Sequence, residues 1–198
     1  MKNVDTTLAG YYGDIRAAKD KSALQVAAIG TSNYTDLAEN IIGDKVTYLN
    51  GSLNMWYDPY LNRIGTKTEL DKDEKHIIVP LLFTQSGTKP MISIDMSRKY
   101  VEYFNALSDS DEICIIGFGF NQDDEHINGM FRDLIDRQNK PVAIVMLDDQ
   151  ETERHTKSRI AKKLKITNTE NLSVLKVDNE RKRNGVLWLD SFLSTFKM

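Results

Sequence analysis

The stretch Glu112-Ile113-Cys114-Ile115-Ile116-Gly117-Phe118-Gly119-Phe120-Asn121-Gln122-Asp123-Asp124-Glu125-His126-Ile127-Asn128 runs from a short apolar segment through two closely spaced glycines into a polar one. Behind it Ile127, Met130, Phe131, Leu134 and Ile135 recur at the spacing of one helix face. Strand, glycine turn and amphipathic helix in that order is the repeating unit of parallel α/β sheets. Two later runs, 142–147 and 172–177, are nearly continuous in hydrophobicity. That pattern suits strands covered on both faces better than the alternation of a half-exposed sheet. Upstream, residues 24–29, 45–49 and 77–82 read as further strands. Tyr100, Val101, Phe104 and Leu107 mark a second helix face, and Leu189, Phe192, Leu193 and Phe196 a closing helix. Residues 4–21 read as a helix, and 51–75, with the charged run 69–75, as an excursion over the sheet edge. The expected fold is a Rossmann-like α/β domain over residues 1–198, with a mostly parallel sheet flanked by helices.

Composition bounds the function. A formal net charge of −3 over 198 residues argues against a general electrostatic hold on nucleic acid or an anionic membrane. No run reaches the length of a membrane span and the start lacks a signal-peptide core, so a cytoplasmic location is expected. The single cysteine, Cys114, lies in an apolar run and reads as a buried thiol. His76, His126 and His155 show no ligand spacing, and consecutive helix residues cannot converge on one ion, so no metal site is expected.

Three turns carry the candidate site. Residues 30–36, Gly-Thr-Ser-Asn-Tyr-Thr-Asp, follow one strand and precede helix positions, with Thr35 or Asp36 placed to cap. Residues 48–54, Tyr-Leu-Asn-Gly-Ser-Leu-Asn, run from a strand into an Asn-Gly turn. Gly117 and Gly119 form a G-x-G without the third glycine of a dinucleotide fingerprint, followed by Asp123, Asp124 and Glu125, which suit a first helical turn. Each turn alone also reads as ordinary chain reversal. If all three end parallel strands they share one sheet edge, where Ser32, Asn33, Asn50, Ser52, Gly117, Gly119 and Asn121 would line a crevice. These groups are uncharged, which suits a ribose or an amide better than a pyrophosphate.

Taken together, Thr-x-Asn-Tyr, then Asn-Gly-Ser-Leu-Asn, then the Gly117 turn before Asp-x-His-Ile-Asn resemble the C-terminal half of a sirtuin domain, in particular bacterial sirtuin-like domains of defence systems and prophages. The resemblance covers about residues 26–147. It implies an NAD-binding fold and cleavage of the nicotinamide–ribose bond, by deacylation or NAD hydrolysis. Asn33 matches the asparagine that lines the nicotinamide and ribose pocket, whereas Thr35 stands where the family has aspartate. Asn50-Gly51 stands where the family has a His-Gly pair. A carboxamide has no usable proton-accepting pKa, so the family's general base is missing, though Asn50 can still hydrogen-bond a ribose hydroxyl. The family's first strand and Gly-Ala-Gly phosphate loop have no counterpart before Val26. Either the match is to a degenerate copy or fragment, or the binding mode has changed; strands 24–29 and 112–116 would pair directly, or a second chain would supply the missing strand.

The leading expectation is a non-catalytic module binding a protein partner or a nucleotide-like ligand, with NAD or a fragment of it as the candidate cofactor. The rivals are an NAD hydrolase working without the histidine, and a structural or oligomerising protein with Trp56, Tyr57 and Tyr60 as interface anchors.

Overall fold

The computed structural model describes residues 10–71, 77–82 and 93–195. The chain forms two compact units, Met1–Ala106 and Leu107–Met198.

The second unit follows its hydrophobic pattern. Strands β6 (Ile113–Ile116), β7 (Val142–Leu147) and β8 (Leu172–Val177) form a parallel sheet in the order β6-β7-β8. Ile113 pairs with Val142 and Val142 with Leu172, and the register holds without a break to Leu147 and Val177. Val142, Ala143, Ile144 and Val145 are all essentially inaccessible. A central strand packed on both faces has no solvent side to alternate with, which is why the run is continuous in sequence. Helix α5 (Glu125–Arg132) continues through a π-helical turn at Asp133–Arg137 and buries Ile127, Phe131, Leu134 and Ile135. Helix α6 (Glu153–Leu164) starts at Thr152, whose hydroxyl accepts the His155 N–H at 3.2 Å. Its left-handed end at Lys165 closes it. The chain ends in a short hairpin, β9 (Lys182–Arg183) with β10 (Val186–Leu187), and helix α7 (Trp188–Thr195). Trp188, Leu189 and Phe192 are buried there, and Phe196 lies outside the described residues.

The first unit departs from expectation. Helix α1 (Gly10–Asp20) covers the described part of the predicted 4–21 helix. Residues 24–29 form no strand, and only β1 (Gly30–Thr31) pairs, parallel, with β2 (Thr47–Tyr48). An apolar run needs a partner on which to hang its backbone groups; among the described residues the Ile29 carbonyl finds one, accepting Thr47 N–H at 2.8 Å. Strand β6 pairs with β7 alone among the described residues. Helix α2 (Leu37–Ile42) lies between β1 and β2, with Gly43 left-handed at its end.

The predicted excursion at 51–75 is instead an antiparallel sheet. Strand β3 (Gly51–Asp58) lies between β4 (Arg63–Gly65) and β5 (Val79–Leu82) in the order β4-β3-β5. Residues 77–82 therefore supply an antiparallel edge and not a parallel strand. Helix α3 (Lys67–Leu70) opens with a full capping box between Thr66 and Glu69. The rest of the charged run and His76 lie outside the described residues. The buried Asp58 carboxylate accepts the N–H groups of Tyr60 at 2.8 Å and Leu61 at 3.0 Å, which fixes the β3–β4 turn.

Helix α4 (Ile94–Asp109) buries Met96, Tyr100, Tyr103 and Leu107, whereas Val101 is 58% exposed. Its inward face thus passes through Tyr103 and not Val101, because two tyrosines hide apolar rings behind a polar label.

Candidate functional site

The first two predicted turns meet. Thr31 is buried at the end of β1, and its hydroxyl accepts the Asn33 N–H at 3.1 Å, turning the chain. The Ser32 carbonyl accepts Asn50 Nδ2 at 3.4 Å, and the Tyr34 carbonyl accepts the Leu53 N–H at 2.9 Å. Asn54 Nδ2 donates to the Asp36 carboxylate at 3.4 Å. Asp36 occupies the cap position of α2, yet its side chain makes no cap bond, and neither does Thr35 serve there.

Within this pair of turns the residues divide by access. Asn33 is exposed, its Nδ2 3.4 Å from the Tyr12 hydroxyl, and Ser32 is half-buried. Asn50 and Ser52 are buried, at 6% and 4% exposure. The Ser52 hydroxyl accepts the Asn54 N–H at 3.3 Å. Asn50-Gly51 is not a free-standing turn but the entrance to β3. Gly51 has φ +79°, and a Cβ there would lie 1.9 Å from the Leu81 carbonyl oxygen of β5. The strand pairing therefore dictates glycine at this position. Tyr100 donates its hydroxyl to the Leu49 carbonyl, and the Tyr103 ring occupies the space that a Gly30 side chain would need. Burial pushes the Tyr103 hydroxyl up to about 12, so it stays protonated. Tyr12, Tyr100 and Tyr103 are partners that the sequence reading missed, because each sits at an apolar-spaced helix position and advertises only its ring.

The third predicted turn belongs to the second unit. Gly117 has φ +64°, with its N–H on the Val145 carbonyl at 3.1 Å. Phe120 is also left-handed, at φ +52°, and buried, packed edge-on against Phe118 and Phe131 at 5.1 and 6.4 Å between ring centres. The Gly119 carbonyl accepts Lys163 Nζ at 2.8 Å, and the Asn121 carbonyl accepts Nδ2 of the fully buried Asn128 at 2.8 Å. Both carbonyls are thus engaged within the unit. Of the expected capping carboxylates none makes a side-chain cap bond. Glu125 is held instead by Arg132 Nη2 at 2.9 Å, a contact that keeps its carboxyl below the usual range.

The structure brings together Ser32, Asn33, Asn50 and Ser52 in the first unit; Gly117, Gly119 and Asn121 belong to the second. No cluster of histidine, cysteine, aspartate and glutamate able to hold a metal exists among the described residues. Burial pushes the half-buried Cys114 thiol up to about 12, far from the reactive thiolate range. No described helix is long and apolar enough to cross a membrane. Of the proposed aromatic anchors, Tyr57 is buried, Trp56 is half-buried with Lys67 Nζ 5.2 Å from its ring centre, and Tyr60 is 77% exposed.

The chain is similar to solved sirtuins. A structure titled for the basis of sirtuin substrate affinity matches at 16% identity and TM-score 0.48, covering 90% of this chain and 68% of that one. Sir2Tm bound to a propionylated peptide matches at 14% identity and TM-score 0.43, covering 84% and 76%. Sir2 with a p53 peptide and NAD+ matches at 16% identity and TM-score 0.40, covering 68% and 57%. This chain spans a little over half the length of that last relative. No family model and no curated protein matches the chain.

The first unit's turns can be tested against the two halves of a dinucleotide. Ser32, Asn33, Asn50 and Ser52 offer hydroxyl and amide groups, which suit a sugar or a carboxamide. A pyrophosphate fits poorly: the helix start beside them, at α2, carries the Asp36 carboxylate, which repels an anion where an unpaired helix N-terminus would attract it.

Proposed function

We propose that this chain is a non-catalytic sirtuin-like module that recognises a nucleoside-like ligand or a protein partner and does not break the nicotinamide–ribose bond. The observation that carries this reading is Asn50. By the sequence resemblance it stands where sirtuins carry a histidine; in the structure it is buried and directs its amide nitrogen to the Ser32 carbonyl. A carboxamide so placed can hold a turn or a hydroxyl but takes no proton at neutral pH. Ligand access runs through Asn33 and Ser32, the more open members of the pair of turns.

Calorimetric titration with NAD, ADP-ribose and adenosine tests the reading. Adenosine is expected to bind more tightly than either phosphate-bearing ligand, and Asn33→Ala to weaken it by about tenfold, the loss of one hydrogen bond at about 1.4 kcal/mol. Tight NAD binding that survives Asn33→Ala and Asn50→Ala together would place the site elsewhere.

A third expected result concerns the loop after β7. Lys176 is buried and donates to the Asp149 carboxylate and, at 2.6 Å, to the Glu151 carbonyl, while Asp148 lies 3.9 Å away. Its hydrogen bond holds the Asp149 carboxyl below the usual range. A carboxyl depressed on folding contributes stability above its unfolded pKa and loses it as pH falls through the folded value. Lys176→Met should lower the urea midpoint at pH 7, and the gap from wild type should narrow as pH drops below about 4. A gap independent of pH would show that packing, not charge, sets the effect.

A further inference from the structure

Asparagine followed by glycine is the pair at which a chain most readily modifies itself. The glycine nitrogen, having given its proton to solvent, attacks the side-chain carbonyl carbon of the asparagine. The new N–C bond closes a five-membered imide, and the side-chain amide leaves as ammonia with a proton from solvent. Water then opens either imide carbonyl, giving aspartate or isoaspartate; in isoaspartate the main chain runs through the side-chain carbons. Glycine favours the attack because no Cβ crowds its nitrogen. Ring closure needs a free carboxamide, a free glycine N–H and a backbone that neither helix, strand nor left-handed turn supplies. The rate at each pair therefore follows how readily the fold opens there.

The chain holds three such pairs, 50–51, 128–129 and 184–185, and the fold treats them differently. Asn128 is fully buried inside α5, its Nδ2 on the Asn121 carbonyl at 2.8 Å, and the Gly129 N–H belongs to the helix ladder. Asn50 is buried with its Nδ2 on the Ser32 carbonyl, and Gly51 is pressed against the Leu81 carbonyl of β5. Asn184 and Gly185 are both exposed and form the two-residue loop of the β9–β10 hairpin, where Arg183 pairs with Val186. Both are left-handed, at φ +53° and +80°. Nothing lies within 4 Å of a Cβ built on Gly185, so a ring has room to form. Among the described residues no hydrogen bond holds the Asn184 carboxamide or the Gly185 N–H. Freeing this loop costs the pairing of two residues on each strand, whereas freeing either other pair means opening a buried element.

We propose that Asn184 is a self-modification site, at which the chain converts to aspartate and isoaspartate while its other two Asn-Gly pairs are protected by the fold. Either product places a new carboxylate beside Arg183, whose guanidinium is already paired with Glu153 at 2.8 Å. Isoaspartate also lengthens the main chain by one carbon, and a two-residue loop has no slack to absorb it. The hairpin then loses register, and with it the bonds that close it: Asp178 N–H on the Lys182 carbonyl and Trp188 N–H on the Arg181 carbonyl. The site lies wholly in the second unit and does not depend on the ligand turns of the first.

The test holds the full purified chain for days at neutral and mildly alkaline pH, both folded and in urea. Each pair is followed by peptide mass mapping, with fragmentation that tells aspartate from isoaspartate. In the folded chain Asn184 should convert at least about tenfold faster than Asn50 or Asn128, and faster as pH rises. In urea the three rates should converge to within about threefold, because the difference lies in the fold. Folded-state conversion of Asn184 as slow as that of the other two overturns the proposal. In the isoaspartyl chain, hydrogen exchange at the Trp188 N–H should speed at least about tenfold, whereas N184D, which adds the charge without the extra carbon, should stay within about threefold of wild type. Unchanged exchange in the isoaspartyl chain, or equal speeding in N184D, overturns the link between chain length and the hairpin.

Discussion

Gly51→Ala is expected to destabilise the protein by about 3–5 kcal/mol. Two costs add. An alanine held at φ +79° gives up about 1 kcal/mol relative to glycine. Its Cβ would also overlap the Leu81 carbonyl oxygen, 1.9 Å away, and a backbone carbonyl cannot swing aside as a side chain can. Strands β3 and β5 must separate at Gly51–Leu82, with loss of their pairing and an overpacking strain of about 1–3 kcal/mol. Gly43→Ala is the control: φ is +76°, but nothing lies within 4 Å of the new Cβ, so only the backbone term of about 1 kcal/mol remains. Chemical denaturation of both variants separates the two terms. Equal effects would mean that β5 does not approach β3 as described.

Trp188→Ala should cost a similar amount, about 3–5 kcal/mol, for a different reason. Trp188 is the largest fully buried side chain described, at 1% exposure. It opens α7 directly after β10, with its N–H on the Arg181 carbonyl at 2.8 Å. Removing the indole leaves a cavity that the β9–β10 hairpin and α7 cannot both collapse into. Trp188→Phe should recover most of the loss, since it refills most of the volume. Recovery by neither phenylalanine nor leucine would point to the indole N–H as the essential group. Thermal melting reads both variants, at about 2–4 °C per kcal/mol for a chain of this size.

The second unit was legible in sequence for a simple reason. Its strands are buried on both faces, so 142–147 and 172–177 are as apolar as they are structured, and the strand bounds coincide with the runs. The first unit hides its sheet. Gly51–Asp58 begins on an Asn-Gly pair, the strongest turn signal in the region, and continues as Ser-Leu-Asn-Met-Trp-Tyr-Asp, where polar residues break the hydrophobic signal. The glycine that suggested a turn is there because a neighbouring strand's carbonyl leaves no room for a side chain. Conversely, residues 24–29 have a strand's composition yet pair as no strand among the described residues; composition cannot report a missing partner. The same limit applies to the site. Polar turns after strands could be found by inspection, and the two in the first unit do meet. That Asn50 and Ser52 would be buried, while Asn33 stays open, depends on β3 and on Tyr100 and Tyr103 of α4, which sequence spacing assigns only to a core.

The central claim is the absence of nicotinamide–ribose cleavage, and the direct measurement is nicotinamide released from NAD by the purified chain, followed by chromatography over hours. On the proposed reading, in which Asn50 stands where sirtuins carry a histidine, release should equal the buffer blank at every pH from 6 to 9, values chosen to span the titration of a histidine base. Release at an enzyme-like rate that Asn33→Ala abolishes would contradict the account and make the protein a hydrolase that stabilises the ribosyl cation by position and electrostatics alone.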